Sequence, residues 1–315
     1  MLAGAGGIVV ALVLLRSVPA PSGSTPPLTT GTAAAAQHAV AGGRIPTPTD
    51  PAFPSPPEGA TVLAREAGTR ALGLALLPGA RRLLVRVSVL SGVGPGASGL
   101  NVSVRFAGGV SVALPACGAG CYQASVLSQA VTPHLAVRLG SVAYPFTLPS
   151  SLHLRDGAAI VARATAVWKG LKTLVWHERL AASPTDALHT VYRAVAPDEL
   201  SYTITGGSAA VIIGHERWDR STPTGRWARS PQDPAIRQPL PFWVSHTDAR
   251  VLGSGTVSGQ GVWVVTFFDP ETPGWFEVRI SKRTYRTLEL SMTAVAHFMH
   301  HIYGPFDAPF HLDPP

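Results

Sequence analysis

Short apolar runs broken by glycine and proline dominate the chain from about Thr61 to Leu148. In the run 83–90, Val85, Val87 and Val89 alternate with Arg86 and Ser88, as a strand with one buried face requires. Similar runs follow at 100–106, 110–114, 122–126, 134–139 and 144–148. Several strands at a spacing of roughly ten residues predict an immunoglobulin-like β-sandwich over residues 61–150.

A different pattern begins at Asp156, which we expect to cap a helix, because apolar residues then recur at helical spacing as far as Leu171. Strand-like runs follow at 174–180, 189–195, 200–205, 209–213, 262–268, 275–281 and 285–291. All seven tryptophans lie between Trp168 and Trp275. One helix followed by a long antiparallel meander predicts a second, α+β domain over residues 151–315, with a strongly curved sheet and few helices.

Two N-terminal segments differ from both predicted domains. Residues 1–16 form an uncharged apolar run that ends at Arg16, and its 14 residues from Leu2 to Leu15 would reach about 21 Å as a helix against a bilayer core of about 30 Å. The run is interpreted as a signal peptide, an anchor or the end of a truncated transmembrane helix. Each reading places the rest of the chain outside the cytoplasm, at the cell membrane. Residues 17–60 contain ten of the 29 prolines, which predicts an extended linker.

Charge favours a membrane setting over nucleic acid. The 315 residues carry a net charge of +7, and the excess lies before residue 156, where there are ten arginines, no lysine and three acids. These arginines are scattered, and no tryptophan precedes Trp168, whereas nucleic-acid binding usually combines clustered cations with aromatic platforms. We therefore expect no nucleic-acid partner and a solvated basic face near a membrane.

The two cysteines, Cys117 and Cys121, flank a glycine-rich turn. In an exported chain this close pair predicts a disulfide. A reduced thiolate pair that binds Cu(I) is the alternative.

Signals for an enzyme are weak. The segment His215–Asp219 starts like a zinc-protease helix, but the fourth following residue is an aspartate and the segment continues a predicted strand. No Gly-x-Ser-x-Gly motif is present. We expect a non-enzymatic protein.

Histidine and methionine are concentrated near the C-terminus. If this segment is extended, His297, Met299 and His301 project on one face, and imidazole with thioether suits copper. If it is helical, the two histidines meet and Met299 turns away. Packing of the neighbouring apolar residues, with the histidines exposed, is the alternative to metal binding.

The tryptophan-rich domain suggests another function, since a curved sheet with aromatic residues on its inner face can form an apolar concavity for a lipid. These aromatics could equally fill a core. The residues predicted to line the concavity are Trp176, Ile213, Trp218, Trp243, Trp263, Phe267 and Trp275.

Two family resemblances add to these readings. The block 261–280, with 292–299 and 303–306, resembles the extracytoplasmic C-terminal region of actinobacterial copper-resistance (CopC/CopD-type) membrane proteins. Residues 100–106 and 115–122 are similar to the sandwich that follows the last transmembrane helix in that family. The second domain also resembles the LolA/LppX lipoprotein-carrier half-barrel. This chain lacks a lipobox cysteine and the transmembrane ligands of a copper permease.

These resemblances imply a membrane-tethered protein with a β-sandwich and a LolA-like half-barrel. We expect it to bind a hydrophobic ligand, such as a lipid, or a membrane-protein partner in a copper-related system. No cofactor is expected unless the C-terminal cluster binds copper directly, which is the alternative function. A purely structural interaction module is a third possibility.

Overall fold

Antiparallel strands make up most of the computed structural model, which describes residues 54–94, 96–127 and 133–315. The first nine strands are β1 (Thr61–Ala67), β2 (Arg70–Pro78), β3 (Arg82–Leu90), β4 (Val102–Phe106), β5 (Ser111–Ala113), β6 (Ala116–Gly118), β7 (Cys121–Leu127), β8 (His134–Leu139) and β9 (Val142–Thr147). They form a five-stranded sheet in the order β1-β2-β3-β7-β6 and a four-stranded sheet in the order β5-β4-β8-β9.

These two sheets face each other across one apolar core, which makes a β-sandwich. Val85 and Val87 from the first sheet and Val104, Phe106 and Val137 from the second are buried in the same cluster. The alternation that the sequence shows at residues 83–90 places its apolar side chains in this core. The predicted sandwich is therefore present. The sequence prediction did not identify β1 and β2 as separate strands, although β2 is almost entirely buried.

One helix and twelve strands form the rest of the described chain. They are β10 (Arg155–Asp156), α1 (Ala158–Lys169), β11 (Thr173–Ser183), β12 (Asp186–Val195), β13 (Glu199–Ile204), β14 (Ala209–Ile213), β15 (Glu216–Arg220), β16 (Ala228–Pro231), β17 (Thr247–Val257), β18 (Gln260–Asp269), β19 (Gly274–Ser281), β20 (Thr287–Ala294) and β21 (His297–Phe306). The strands build one antiparallel sheet in the order β10-β17-β18-β19-β20-β21-β11-β12-β13-β14-β15-β16. This large sheet does not close into a barrel, and it confirms the predicted curved antiparallel architecture with few helices.

The helix packs on one face of the large sheet, which we call the concave face. Val161, Ala164 and Trp168, at helical spacing, are buried in the same cluster as side chains from the sheet. The N-cap is Gly157 rather than the predicted Asp156. The Asp156 side chain still serves the helix end, because its Oδ1 accepts a hydrogen bond of 2.7 Å from the backbone N–H of Ala158.

The opposite, convex face packs against the five-stranded sheet of the sandwich. Phe268, Trp275 and Phe298 from the large sheet share a buried cluster with Ala71 of the sandwich. Contact is closest at Gly73, where a Cβ atom would lie 2.5 Å from the Trp275 ring. The absence of a side chain at residue 73 lets the two layers approach.

Residues 54–60, at the end of the predicted linker, contact both layers. Arg86 Nη1 donates a hydrogen bond of 2.8 Å to the carbonyl of Ser55, and the Gly59 N–H donates one of 2.8 Å to Asp248. Ala60 is fully buried between the layers. The predicted membrane segment and the rest of the predicted linker lie outside the described residues.

The predicted disulfide joins Cys117 to Cys121, where β6 turns into β7. No other cysteine is present in the sequence. The structure therefore supports the disulfide rather than the alternative of a thiolate pair for Cu(I).

Candidate functional site

An aromatic row crosses four strands of the concave face. Trp176 lies opposite Tyr303 on one neighbouring strand and opposite Tyr192 on the other, and Tyr192 lies opposite Tyr202. The Trp176 and Tyr192 rings stack at 4.6 Å with an angle of 3° between their planes. The row arises because alternate residues of each strand face the same side, so four cross-strand positions bring four large rings together.

A buried polar row lies beside the aromatic one. His301 is fully buried, and its Nε2 lies 2.7 Å from Glu178 Oε2 while its Nδ1 lies 2.8 Å from the Tyr303 hydroxyl. The Tyr192 hydroxyl donates to Glu178 Oε1 at 3.1 Å. A proton on Nε2 that is donated to Glu178, with Nδ1 accepting from Tyr303, satisfies all of these groups. The sheet therefore carries a continuous hydrogen-bonded chain from Tyr303 through His301 and Glu178 to Tyr192.

Burial dominates the electrostatics of the two tyrosines in this chain. It raises the pKa of Tyr192 and of Tyr303 well above 10, and the nearby charge of Glu178 raises both further. Both phenols are thus held in their neutral form, in which their hydroxyls can donate hydrogen bonds.

An ion pair between Arg217 and Asp219 marks the far end of the aromatic row. Arg217 is only 2% exposed; its Nε and Nη2 each lie 2.6 Å from an Asp219 oxygen, and Nη2 lies 3.4 Å from the Tyr202 hydroxyl. Burial alone would lower the pKa of Arg217, but its hydrogen bonds to Asp219 and the nearby charges raise that pKa overall. Burial also raises the pKa of Tyr202.

Two buried donors on this face have no partner among the described residues. They are Arg217 Nη1 and the indole Nε1 of Trp176. A buried donor without an acceptor costs about 1–3 kcal/mol. Trp176 lies within the aromatic row and Arg217 lies beside its far end, so a polar group of a ligand on the concave face could accept a hydrogen bond from either donor.

The concave face is covered by α1 and by residues 232–246, which we call the covering segment. This segment connects β16 to β17 and forms no strand or helix of its own. Its Phe242 ring lies 4.4 Å from the His301 ring, and Trp243 packs 5.8 Å from Phe267. Trp243 Nε1 donates to Thr165 of the helix at 2.9 Å.

One carboxylate attaches the end of the covering segment to the sheet. Asp269 is fully buried and accepts hydrogen bonds from the Val244 N–H at 2.8 Å and from the Ser245 hydroxyl at 3.0 Å. It also accepts one from the Glu271 N–H at 2.9 Å and one from the Thr272 hydroxyl. The segment is therefore joined to the turn after β18 by a few hydrogen bonds instead of by strand pairing.

The predicted concavity needs correction in part. Trp176, Trp243 and Phe267 share the concave-face cluster, and Trp263 packs at its edge against Tyr285. Trp243 comes from the covering segment and not from the sheet. The sequence prediction placed all of them on one lining.

Three other predicted lining residues lie on the opposite face. Ile213 follows the buried concave-face residue Ile212, so the pleat turns it outward, and Trp218 alternates with Arg217 in the same way. Trp275 is buried against the sandwich. The prediction was wrong for these three because it selected residues by type without assigning each one to a face of its strand.

The C-terminal segment that carries His297, Met299 and His301 is extended, which is the form in which all three were expected to share one face. His297, Met299 and His301 all lie on β21 at alternate positions and thus on one face. Met299 is in the apolar core, His297 Nδ1 lies 3.0 Å from the Val295 carbonyl oxygen, and both ring nitrogens of His301 are engaged. Nowhere in residues 54–94, 96–127 and 133–315 do three His, Cys, Asp or Glu side chains group as metal ligands.

The sequence reading missed Glu178, Arg217 and the three tyrosines of the aromatic row. A signal existed at Glu178, because it continues the alternation of Leu174 and Trp176 and so had to share their buried face. Arg217 gave a weaker signal, since nothing in a short strand distinguishes its inner positions. The segment His215–Asp219, which resembles a metal motif in sequence, is largely strand and supplies the ion pair instead.

No protein-family model and no curated protein matches this sequence. Solved structures match about half of it. The Mycobacterium tuberculosis lipoprotein LppX is 12% identical, with 50% of this chain and 100% of that chain covered and a TM-score of 0.36. A LolA superfamily protein from Nitrosomonas europaea is 10% identical, with 51% and 96% covered and a TM-score of 0.25.

A putative outer membrane lipoprotein-sorting protein domain from Vibrio parahaemolyticus is 12% identical, with 47% and 90% covered and a TM-score of 0.25. These structures include the LolA and LppX folds that the sequence resembles, and none of them supports the copper-resistance resemblance.

Within the described residues, no helix combines the length and apolar character needed to cross a bilayer.

Proposed function

We propose that this chain is a non-enzymatic extracytoplasmic binding protein that takes a hydrophobic ligand, such as a lipid, on the concave face of its large sheet. One observation carries the proposal: Phe242, from a segment without strand pairing, packs over Trp176 of the aromatic row, and two buried donors on the same face have no partner among the described residues. Displacing that segment would open an apolar surface that carries a small number of polar groups, which is the composition of a typical ligand site.

The ligand would replace contacts that the covering segment now makes. Phe242 and Trp243 contribute two aromatic side chains to the concave face, so an acyl chain or ring system could take equivalent apolar contacts. Arg217 Nη1 and Trp176 Nε1 offer hydrogen bonds that the segment leaves unmade. The apolar contacts of the ligand and its hydrogen bonds to Arg217 and Trp176 would offset the loss of the segment's own apolar contacts and of its hydrogen bonds to Thr165 and Asp269.

Tethering to the cell membrane through residues 1–16 belongs to the same proposal, because a carrier of apolar ligands works beside a membrane. A protein partner in a copper-related membrane system is the finer version, and it rests on the sequence resemblance alone.

Direct copper binding by His297, Met299 and His301 remains the alternative function. Their common face on β21 favours it. A metal at His301 would have to displace Glu178 or Tyr303 from the ring nitrogens.

The test uses native mass spectrometry and the fluorescent fatty acid cis-parinaric acid with the full chain. We expect a lipid-mass adduct on the purified protein and saturable fluorescence enhancement. The matched pair Ile204→Gln and Thr203→Gln places the same polar side chain on the concave face or on the opposite, exposed face. Ile204→Gln should weaken binding about tenfold, and Thr203→Gln should leave it unchanged.

Equal affinity in both variants would contradict binding on the concave face. A single copper adduct without lipid, lost in His297→Ala/His301→Ala, would instead support the alternative.

A further inference from the structure

A cavity lies on the convex side of the large sheet. It has a volume of about 310 Å³ and lies between the edge strands β1 and β9 of the sandwich and the convex face of β18, β19 and β20. This volume is at the lower end of the range of about 300–1,000 Å³ for ligand pockets, which occur often between domains. The cavity therefore has room for a small organic molecule and is separate from the concave face.

Arg65 of β1 gives this cavity an uncompensated positive charge. Its Nη1 donates a hydrogen bond to the carbonyl oxygen of Pro145 on β9, in the other sheet of the sandwich. Its Nε is buried and has no hydrogen-bond partner. Among the residues that the structure describes, no carboxylate lies within ion-pair distance of this guanidinium. A buried guanidinium donor without an acceptor favours an anion beside it.

Hydroxyl groups line the same cavity as Arg65. Ser291 and Thr293 of β20 lie on the convex face, where they are paired in register with Glu277 and Trp275 of β19. Thr147 of β9 adds a third hydroxyl at the wall. These groups can donate to oxygens of an anion that Arg65 neutralises.

The remaining walls are mostly apolar, and the one acid on them, Glu277, reaches solvent. Phe146 and the Trp275 ring form apolar surface. Glu277 lies 3.3 Å from Arg279, and its side chain is 36% exposed. Arg279 also pairs with Glu289, at the shorter distance of 2.6 Å, so it compensates Glu277 only in part. Because Glu277 reaches solvent, screening weakens its repulsion of an anion at Arg65.

We propose that this cavity binds a small organic anion, a carboxylate or a phosphate monoester with a compact apolar body, whose charge pairs with Arg65. The apolar body lies against Trp275 and Phe146, and the hydroxyls of Ser291 and Thr293 complete the contacts of the anionic oxygens. The site is independent of the ligand proposed for the concave face, because the backbone of the large sheet lies between them.

Ligand-observed ¹⁹F NMR of the full chain tests the proposal with three probes: 4-fluorobenzoate, 4-fluorophenyl phosphate and the neutral 4-fluorobenzyl alcohol. At least one of the two anions should bind saturably, and the alcohol at least about tenfold more weakly. Binding of the carboxylate alone or of the phosphate alone identifies the class of ligand. Saturable binding by neither anion, or equal binding by the alcohol, overturns the proposal.

Two arginine variants locate the binding. Arg65→Gln removes the charge at the cavity, whereas Arg70→Gln removes the same charge at an exposed position on the neighbouring strand. Arg65→Gln should weaken binding about tenfold or more, and Arg70→Gln should leave it unchanged. The same loss in both variants would mean that the anion senses only net charge, which overturns the site.

A filling variant keeps the test decisive if Arg65→Gln fails to fold. Ser291→Phe adds a ring at a half-buried position of the cavity floor, and it should abolish binding while thermal unfolding remains cooperative. Full binding by this variant would contradict the site. Ile204→Gln on the concave face should not affect these probes, so failure of either proposed site is distinguishable from failure of the other.

Discussion

The two faces of the large sheet are covered in different ways. On the convex face, Phe268, Trp275 and Phe298 pack against the sandwich in an apolar cluster so close that residue 73 has room only for glycine. On the concave face, the cover is a helix and a segment without strand pairing, and the buried surface includes Glu178 and Arg217.

This difference bears on the stability of the chain. Close apolar packing of Phe268, Trp275 and Phe298 stabilises the join between the layers, since it removes apolar area from water. The cavity at Arg65 is the exception on this side, because it buries a guanidinium N–H. Buried ion pairs add little net stability compared with apolar residues of the same volume. The concave face keeps its charges and unpartnered donors at a cost in stability, and such a cost is typical of a binding site.

The largest expected effect comes from breaking the convex contact. Trp275→Ala should lower the free energy of unfolding by about 3–5 kcal/mol, because it leaves a large cavity between the layers. Trp218→Ala is the matched control on the same sheet face beyond the sandwich, and it should cost less than about 1 kcal/mol. Chemical denaturation measures both. Similar losses in the two variants would show that the sandwich contact has no special weight.

On the concave face, removing one half of the Arg217–Asp219 pair should have the next largest effect. Asp219→Ala leaves a buried guanidinium without its carboxylate, and we expect a loss of about 2–3 kcal/mol, below the value for a fully buried pair because Asp219 is 24% exposed. Glu216, which is on the same strand as Asp219, provides the control. Glu216→Ala breaks its exposed ion pair with Arg229 and should lower the free energy of unfolding by less than about 1 kcal/mol. Equal losses of stability in the two variants would contradict the burial of Arg217 as the cause of the larger effect of Asp219→Ala.

Alkaline pH should reveal the covered phenols of the concave face. Burial raises the pKa of Tyr192 and Tyr303 well above 10, so the folded chain keeps their protons while the unfolded chain loses them. Stability should therefore be unaffected below about pH 10 and should fall above it, by about 1.4 kcal/mol per pH unit for each tyrosine.

Thermal unfolding between pH 8 and 12 measures this slope, which Tyr303→Phe should reduce. Trp243→Ala, which weakens the cover, should let the phenols ionise at lower pH in an absorbance titration. An unchanged slope in Tyr303→Phe would contradict the account.

The smallest effect concerns the attachment of the covering segment. Ser245→Ala removes one hydrogen bond to Asp269 and should cost about 0.5–1.5 kcal/mol. Hydrogen exchange should also quicken at Val244, whose N–H donates to the same carboxylate. Unchanged exchange there would show that Asp269 does not hold the segment.

The sequence predicted regular elements better than the site. The alternation of apolar and polar residues at 83–90 correctly predicted a strand with one buried face, because this pattern depends only on neighbouring residues in the chain. Strand β17 was missed since its run of small and polar residues carries no apolar period. The faces of Ile213 and Trp218 were missed because a strand's register, which decides the face, depends on its partners.

The cover itself could not be predicted. Phe242 and Trp243 lie between β16 and β17 without periodicity, and only the fold places them over His301 and Phe267. Likewise, the pairing of Glu178 with His301 joins residues 123 positions apart in the chain.

Hydrogen–deuterium exchange of the full chain, with and without bound cis-parinaric acid, tests the central claim most directly. If the ligand displaces residues 232–246, the Val244 and Ser245 amides that Asp269 holds should exchange at least about tenfold faster in the complex, while the paired amides of β18 keep their protection. Unchanged or increased protection of the covering segment while the fatty acid is bound would contradict ligand binding beneath it.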